Sequence, residues 1–189
     1  GKYYEDIYYS EKKHNVWTDP ILVQDLINTQ QNSSCLFLSP DAQMMYLSMV
    51  NNDPKIGNIG RGIYESKLDG SHWTEPSFLE EKINSKFWET YASLDIYGNI
   101  LFFVSDREGG YGGRDIWMVK KLPSGEWADP QNLGEPINSE YDEESPYLHP
   151  DGKTLYFSSK GHKVMGGFDI FKSTLQADKS WSAPENMGY

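Results

Sequence analysis

The sequence predicts an all-β fold: a β-propeller built from four-stranded antiparallel blades, with about three and a half blades present. Three observations predict it. Trp17, Trp73, Trp127 and Trp181 stand 56, 54 and 54 residues apart, and each is followed three positions later by a proline, Pro20, Pro76, Pro130 and Pro184. Ten residues after the first three tryptophans comes an Ile-Asn pair: Ile27-Asn28, Ile83-Asn84 and Ile137-Asn138. Between them lie short β-branched and aromatic runs such as "ILFFVS", "TLYFSS" and "FDIFKS", bounded by Gly, Pro, Asp or Asn and without helical periodicity. Self-similarity at this period, with four strands in each unit, is the pattern of a propeller blade.

Each element follows from the last repeat. "SPYLH" reads as the inner strand A, "TLYFSS" as B, "FDIFKS" as C, and "WSAPENMG" lies on or near D. The A–B connections "HPDGKT" and "DIYGNI" put Gly152 and Gly98 where a tight hairpin needs positive φ, and "SPDAQM" has Ala42 there instead. Residues 1–32 then supply the C and D strands of a partial blade, 33–86 and 88–141 are blades, and 142–189 is a blade incomplete at its end. With both ends falling inside a repeat, the expectation is either a longer polypeptide or a ring closed by a second chain, because an open sheet edge invites association. The recurring Trp17, Trp73, Trp127 and Trp181 are expected to pack between neighbouring sheets, as aromatics repeated once per blade do.

Composition narrows the function. With 17 Lys and Arg against 28 Asp and Glu, the net charge of −11 opposes nucleic acid and anionic lipid as partners. No apolar run approaches the length of a membrane span. A single cysteine, Cys35, rules out an intramolecular disulfide or a cysteine-rich zinc site. His14, His72, His149 and His162 lack metal-ligand spacing, and no G-x-S-x-G nucleophile elbow occurs. Neither a metal nor another cofactor is expected. Paired carboxylates, Glu143 with Glu144 or Asp142 with Asp115, could serve a glycosidase as acid and base, but sequence neighbours rarely face each other across a substrate. The expectation is a protein that is not an enzyme.

The stretch "SDREGGYGGRDIW" at 105–117 resembles a ligand-gripping loop, yet its counterpart "SKGHKVMGGFDIF" keeps only the Gly-Gly-x-Asp-Ile-aromatic end. A phosphate loop would also need a following helix and a Lys-Ser/Thr pair, which are absent. Gly112, Gly113, Gly166 and Gly167 are therefore read as a B–C connection needing positive φ and close approach. Asp115 and Asp169 are read as accepting backbone N–H groups at the entrance of strand C. In the first repeat the same connection, "MVNNDPKIGNIGRGIY", is three residues longer. Asn32-Ser33-Ser34 fits the glycosylation sequon, a short pattern that discriminates poorly.

At these residues the chain resembles the WD40-like β-propeller repeat called PD40, known also from TolB. "PYLHPDGKTLYFSSKGHKVMGGFDIFKS" and "WADPQNLGEPINSEYDEESPYLHPDGK" look especially like the version in OmpA-family envelope proteins of Bacteroidetes-type bacteria. The resemblance covers essentially the whole chain. It implies a noncatalytic scaffold in the periplasm or at the outer membrane, with other envelope proteins as partners and peptidoglycan reached through a separate domain. Some members of that group serve type IX secretion. The alternative is the propeller of a hydrolase, gating a prolyl oligopeptidase-like peptidase or resembling a sialidase.

In such a fold the D–A and B–C loops share one face. Candidate binding residues there are Trp88, Asp106, Arg107, Tyr111, Arg114, Glu143, Glu144, Lys160 and His162. Trp88 falls outside the repeating tryptophan column, and large aromatics are enriched as interface anchors. Alanine at Arg107, Tyr111 and Arg114 is expected to weaken partner capture and leave the fold intact.

Overall fold

A computed structural model describes residues 6–23, 26–28, 33–50 and 61–188. Asn32 of the sequon and residues 51–60 of the longest connection lie outside them. The described residues are all-β, in antiparallel sheets. Four short strands open the chain: β1 (Tyr8–Tyr9) pairs with β4 (Ile21–Leu22), and β2 (Lys12–Lys13) with β3 (Val16–Trp17). The next sheet runs β5 (Ser34–Leu38), β6 (Met44–Val50), β7 (Arg61–Asp69) and β8 (His72–Trp73), with β9 (Ser77–Phe78) also on β7. Two four-stranded sheets follow. The first is β10 (Glu89–Leu94), β11 (Ile100–Ser105), β12 (Asp115–Lys120) and β13 (Gln131–Asn132); the second is β14 (Glu143–Leu148), β15 (Thr154–Ser159), β16 (Asp169–Thr174) and β17 (Glu185–Asn186). In each of these two the strand order is the sequence order, and the sheet stays open at both edges.

The apolar runs of the sequence are apolar because a middle sheet is covered on both faces. Along β11, Leu101 and Phe103 face one core while Phe102 and Val104 face another, the period of two dealing successive side chains to opposite sides. The first core joins the β5–β9 sheet, through Tyr46, Ile63, Leu79 and Ile83, to Leu101, Phe103, Trp117 and Val119. The second joins Phe102, Val104 and Ile116 to Leu155, Phe157 and Phe171 of the last sheet. Phe103, Phe157 and Phe171 are almost completely buried, each stabilising by about 1.5–3 kcal/mol relative to exposure. A third cluster, with Val23, Ile27, Met45 and Leu47, ties the opening strands to the β5–β9 sheet.

Each tryptophan of the column pairs with the end of the strand before it: Trp17 with Lys12, Trp73 with Leu68, Trp127 with Lys121 and Trp181 with Leu175. Their burial differs. Trp127 is 4% exposed inside the first core. Trp181 and Trp73 are half-buried against the second and third clusters. Trp17, expected to pack likewise, is 65% exposed, along with Val16, Ile21 and Leu22. The reason is directional: each tryptophan leans on the sheet that precedes its own, and none precedes β1 among the described residues. The last sheet shows the converse, with Ile170 exposed on the face away from the second core.

The Ile-Asn pairs have a shared physical role. The isoleucine is fully buried at 27, 83 and 137. The asparagine acts as a clamp: Asn84 accepts from Ile63 N at 2.7 Å and donates to the carbonyls of Ile63 (2.8 Å) and Leu79 (3.0 Å). Asn28 does the same with Ile7 and Val23, and Asn138 with Ile116. An amide side chain offers the donors and acceptor needed to satisfy these buried backbone groups. In the hairpins, Gly98 and Gly152 have φ of 69° and 68°, and Ala42 takes the same hand at 55°.

The first strand of each full repeat carries a bulge. Pairing slips by one residue between Cys35 and Phe37, between Thr90 and Ser93, and between Glu144 and Tyr147. At Tyr91 and Ser145 the backbone has φ of 51° and 53°, as an inserted residue with a local kink requires.

Candidate binding face

The segments leading into β10, β12 and β14 gather the charged residues, and they divide into a buried network and an exposed rim. The buried network begins at Glu89, which is 0% exposed at the start of β10. Its carboxylate accepts from Ser85 N (2.9 Å), Ser85 Oγ (2.6 Å) and Ser105 Oγ (2.9 Å), and pairs with Arg107 Nη2 at 3.1 Å. The Arg107 guanidinium also donates to the carbonyls of Lys82 (3.1 Å) and Ile83 (2.5 Å) and lies over the rings of Phe103 and Trp117, 4.9 and 5.4 Å from their centroids. Burial pushes the Glu89 carboxyl above its ordinary range and the Arg107 guanidinium below its own, and their mutual attraction works against both shifts.

Glu143 repeats this arrangement at the start of β14. It is 0% exposed and accepts from Ser139 N (2.9 Å), Ser139 Oγ (2.6 Å) and Ser159 Oγ (2.7 Å). The residue in the place of the guanidinium is His162, whose Nε2 meets the Ile137 carbonyl at 2.9 Å and whose ring makes edge contacts with the stacked Phe157 and Phe171. Burial raises the Glu143 carboxyl. The folded state therefore holds its proton to higher pH than the unfolded chain does, so this group's contribution to stability declines as pH rises above the ordinary glutamate range. Glu143→Gln, which keeps the shape and removes the charge, is expected to flatten that decline. Urea midpoints of both proteins at about pH 5 and about pH 8 check it: the wild type should lose more stability over the interval than the variant.

Arg107 and Glu143, expected as exposed binding residues, are instead buried in the fold. Their side chains are consumed by hydrogen bonds inside the fold, with Arg107 only 12% exposed. Alanine at Arg107 is therefore expected to cost stability and not only partner capture. The spacing Ser-x-x-x-Glu, in "INSKFWE" and "INSEYDE", is the sequence signal for this network.

A second charge group lies nearby. Arg114 bonds Glu144 at 2.5 Å and Asp142 at 3.2 Å, and Lys160 bonds Asp142 at 3.0 Å. Burial opposes the charge on Asp142, but its bonds from Arg114 and Lys160 outweigh burial and hold the carboxyl below its ordinary range. Tyr91 is raised, first by burial and then by the charge of Glu144. The rim proper is Trp88 and Tyr111, 45% and 56% exposed, with Asp106 accepting from Trp88 N at 2.9 Å.

Asp115 accepts from Tyr111 N, from Gly112 N at 3.2 Å and from Asn132 Nδ2 at 2.8 Å; Asp169 accepts from Met165 N and from Asn186 Nδ2 at 3.1 Å. A Cβ at Gly112 would strike the carbonyls of Ser139 and Tyr141, and one at Gly113 the Asp142 carboxylate at 2.5 Å. These two glycines are held by close approach, and the positive φ of the loop falls at Gly109 (90°). Gly166 and Gly167 differ from expectation: neither has positive φ, and open space surrounds the position of a Cβ. Among the described residues, no three His, Cys, Asp or Glu side chains are placed to hold a metal ion. No helix among them is long and apolar enough to cross a membrane.

No protein-family model matches the sequence, and no curated protein matches it. A solved structure assigned as a TolB from Agrobacterium tumefaciens is similar with a TM-score of 0.57 and 17% identity, covering 96% of this chain and 60% of that one. Another, assigned as a 6-phosphogluconolactonase from Bacteroides uniformis, reaches a TM-score of 0.44 at 14% identity, over 84% of this chain and 41% of that one, too distant to carry an argument. The chain has a TolB-like all-β fold and spans 60% of the length of the TolB it matches.

Proposed function

We propose that this chain is a segment of a β-propeller whose four-stranded sheets are its blades, and that it serves as a noncatalytic binding scaffold in a bacterial cell envelope. Its place is the periplasm or the periplasmic side of the outer membrane. Its partners are other envelope proteins, with peptidoglycan reached through a domain of the OmpA kind, and secretion machinery is one assembly such a scaffold would serve. The observation that carries this reading is the division of the loop face: the carboxylates that could do acid-base chemistry are spent on structural bonds, while aromatic side chains remain exposed at its rim. Rigid sheets that present exposed aromatics on connecting loops suit recognition. The TolB-like fold supports it.

Photo-crosslinking tests the reading. A photoreactive residue at position 88 or 111 is expected to capture a defined protein from the envelope fraction. The same residue at position 97, where Tyr97 is 78% exposed on an A–B hairpin, should capture none. Trp88→Ala combined with Tyr111→Ala should lower capture about tenfold. Equal crosslinking from all three positions, or none from 88 and 111, would discard this face.

A further inference from the structure

The buried guanidinium of one sheet has an incomplete counterpart in the next. Shifted by 54 residues, Lys82, Ile83, Glu89, Phe103 and Trp117 become Pro136, Ile137, Glu143, Phe157 and Phe171. Both acceptors at the turn, the buried carboxylate and both rings recur, but Arg107 becomes Gly161. Gly161 cannot be replaced by a longer residue in place, since a Cβ there would run into Ser139. His162 enters the slot from one position later and makes one of the guanidinium's contacts, to the Ile137 carbonyl. Among the described residues no side chain is shown bonded to the Pro136 carbonyl, and His162 acts on the Glu143 carboxylate through its field without the direct bond that Arg107 makes to Glu89. A groove of about 530 Å³ opens beside the imidazole, lined by His162, Gly161, Pro136 and Ser139 and flanked by Glu135 and Glu140.

We propose that this groove is a binding site for a guanidinium group, the side chain of an arginine presented by a partner protein. The arginine displaces the His162 imidazole, takes its place against the edge of the stacked Phe157 and Phe171 pair, and donates to the carbonyls of Pro136 and Ile137 and to Glu143, as Arg107 does at the matching positions of its own sheet. A planar guanidinium suits this set because its donors fan out in one plane while its face stacks on aromatic rings, and an ammonium cannot do both. Glu135 and Glu140 at the rim, on a chain of net charge −11, favour a cation's approach. Lys160 is held by Asp142, and Lys163 lines a neighbouring pocket and not this groove.

The site rests on the reading of this face as a binding surface, yet its test is independent of any partner. N-acetyl-arginine amide is titrated into the isotope-labelled chain, with N-acetyl-lysine amide at equal ionic strength as the control. The arginine derivative should shift the signals of Ser139, His162, Phe157 and Phe171 with about millimolar affinity, and the lysine derivative should bind at least about fivefold more weakly. His162→Arg, which supplies the guanidinium from within, should abolish the response. Glu143→Gln should weaken it, and decides the matter if the arginine variant does not fold. Equal response to both derivatives, or a response surviving both substitutions, overturns the site. Failure here with intact crosslinking from positions 88 and 111 leaves the binding face standing; the reverse outcome leaves the slot and removes the face.

Discussion

Trp127→Ala is expected to lower the free energy of unfolding by about 3–5 kcal/mol, the range for emptying a buried aromatic site. Trp17→Ala, at the same position of the repeat, should change it by no more than about 0.5 kcal/mol, as surface substitutions do. The two tryptophans share their local pairing, each bridging the end of the strand before it. They differ in cover: Trp127 is packed among residues of two sheets, and Trp17 is open to solvent. Urea or thermal denaturation measures the difference directly. Equal losses in the two variants would mean that the tryptophan stabilises its own sheet and not the junction between sheets.

Arg107→Ala has the second largest expected effect, a loss of about 3–5 kcal/mol, because it leaves Glu89 as a buried carboxylate with no cation. Two further variants separate this cause from simple loss of packing. Arg107→Lys should recover little, since one ammonium cannot reach the carbonyls of Lys82 and Ile83 and the Glu89 carboxylate together. Arg107→Ala combined with Glu89→Gln should be more stable than Arg107→Ala alone, the charge having gone from both sides. A double variant no better than the single one would show that the guanidinium acts through its stacking on Phe103 and Trp117.

The sequence carried the fold at long range and the loop face only in part. Strands, hairpin turns and the four-fold tryptophan column were legible because backbone conformation and burial repeat at a fixed interval, and periodic constraints leave periodic residues. The burial of each tryptophan was not legible, because cover comes from a neighbouring sheet and the column says nothing about which neighbour exists. Charged loop residues misled for a different reason. In a single sequence Arg107 and Glu143 look like surface charges, and only the spacing from Ser85 to Glu89 and from Ser139 to Glu143 hints that a hydroxyl and a carboxylate are being matched in the interior. The slot beside the buried glutamate was not legible either, since the side chain that fills it, Arg107 in one repeat and His162 in the next, comes from one position in the first and from the following position in the second.

The bulges in β5, β10 and β14 have a chemical consequence. An inserted residue belongs to neither phase of the strand's alternation, so the period of two does not assign its side chain to one face of the sheet. The residues inserted there are Leu36, Tyr91 and Ser145, an alkyl chain, a phenol and a hydroxyl, and they meet around one cavity of about 330 Å³ with Phe37 and Tyr147. At these places the three repeats differ in chemistry while the strand pairing around them stays the same, so one rim carries three different groups.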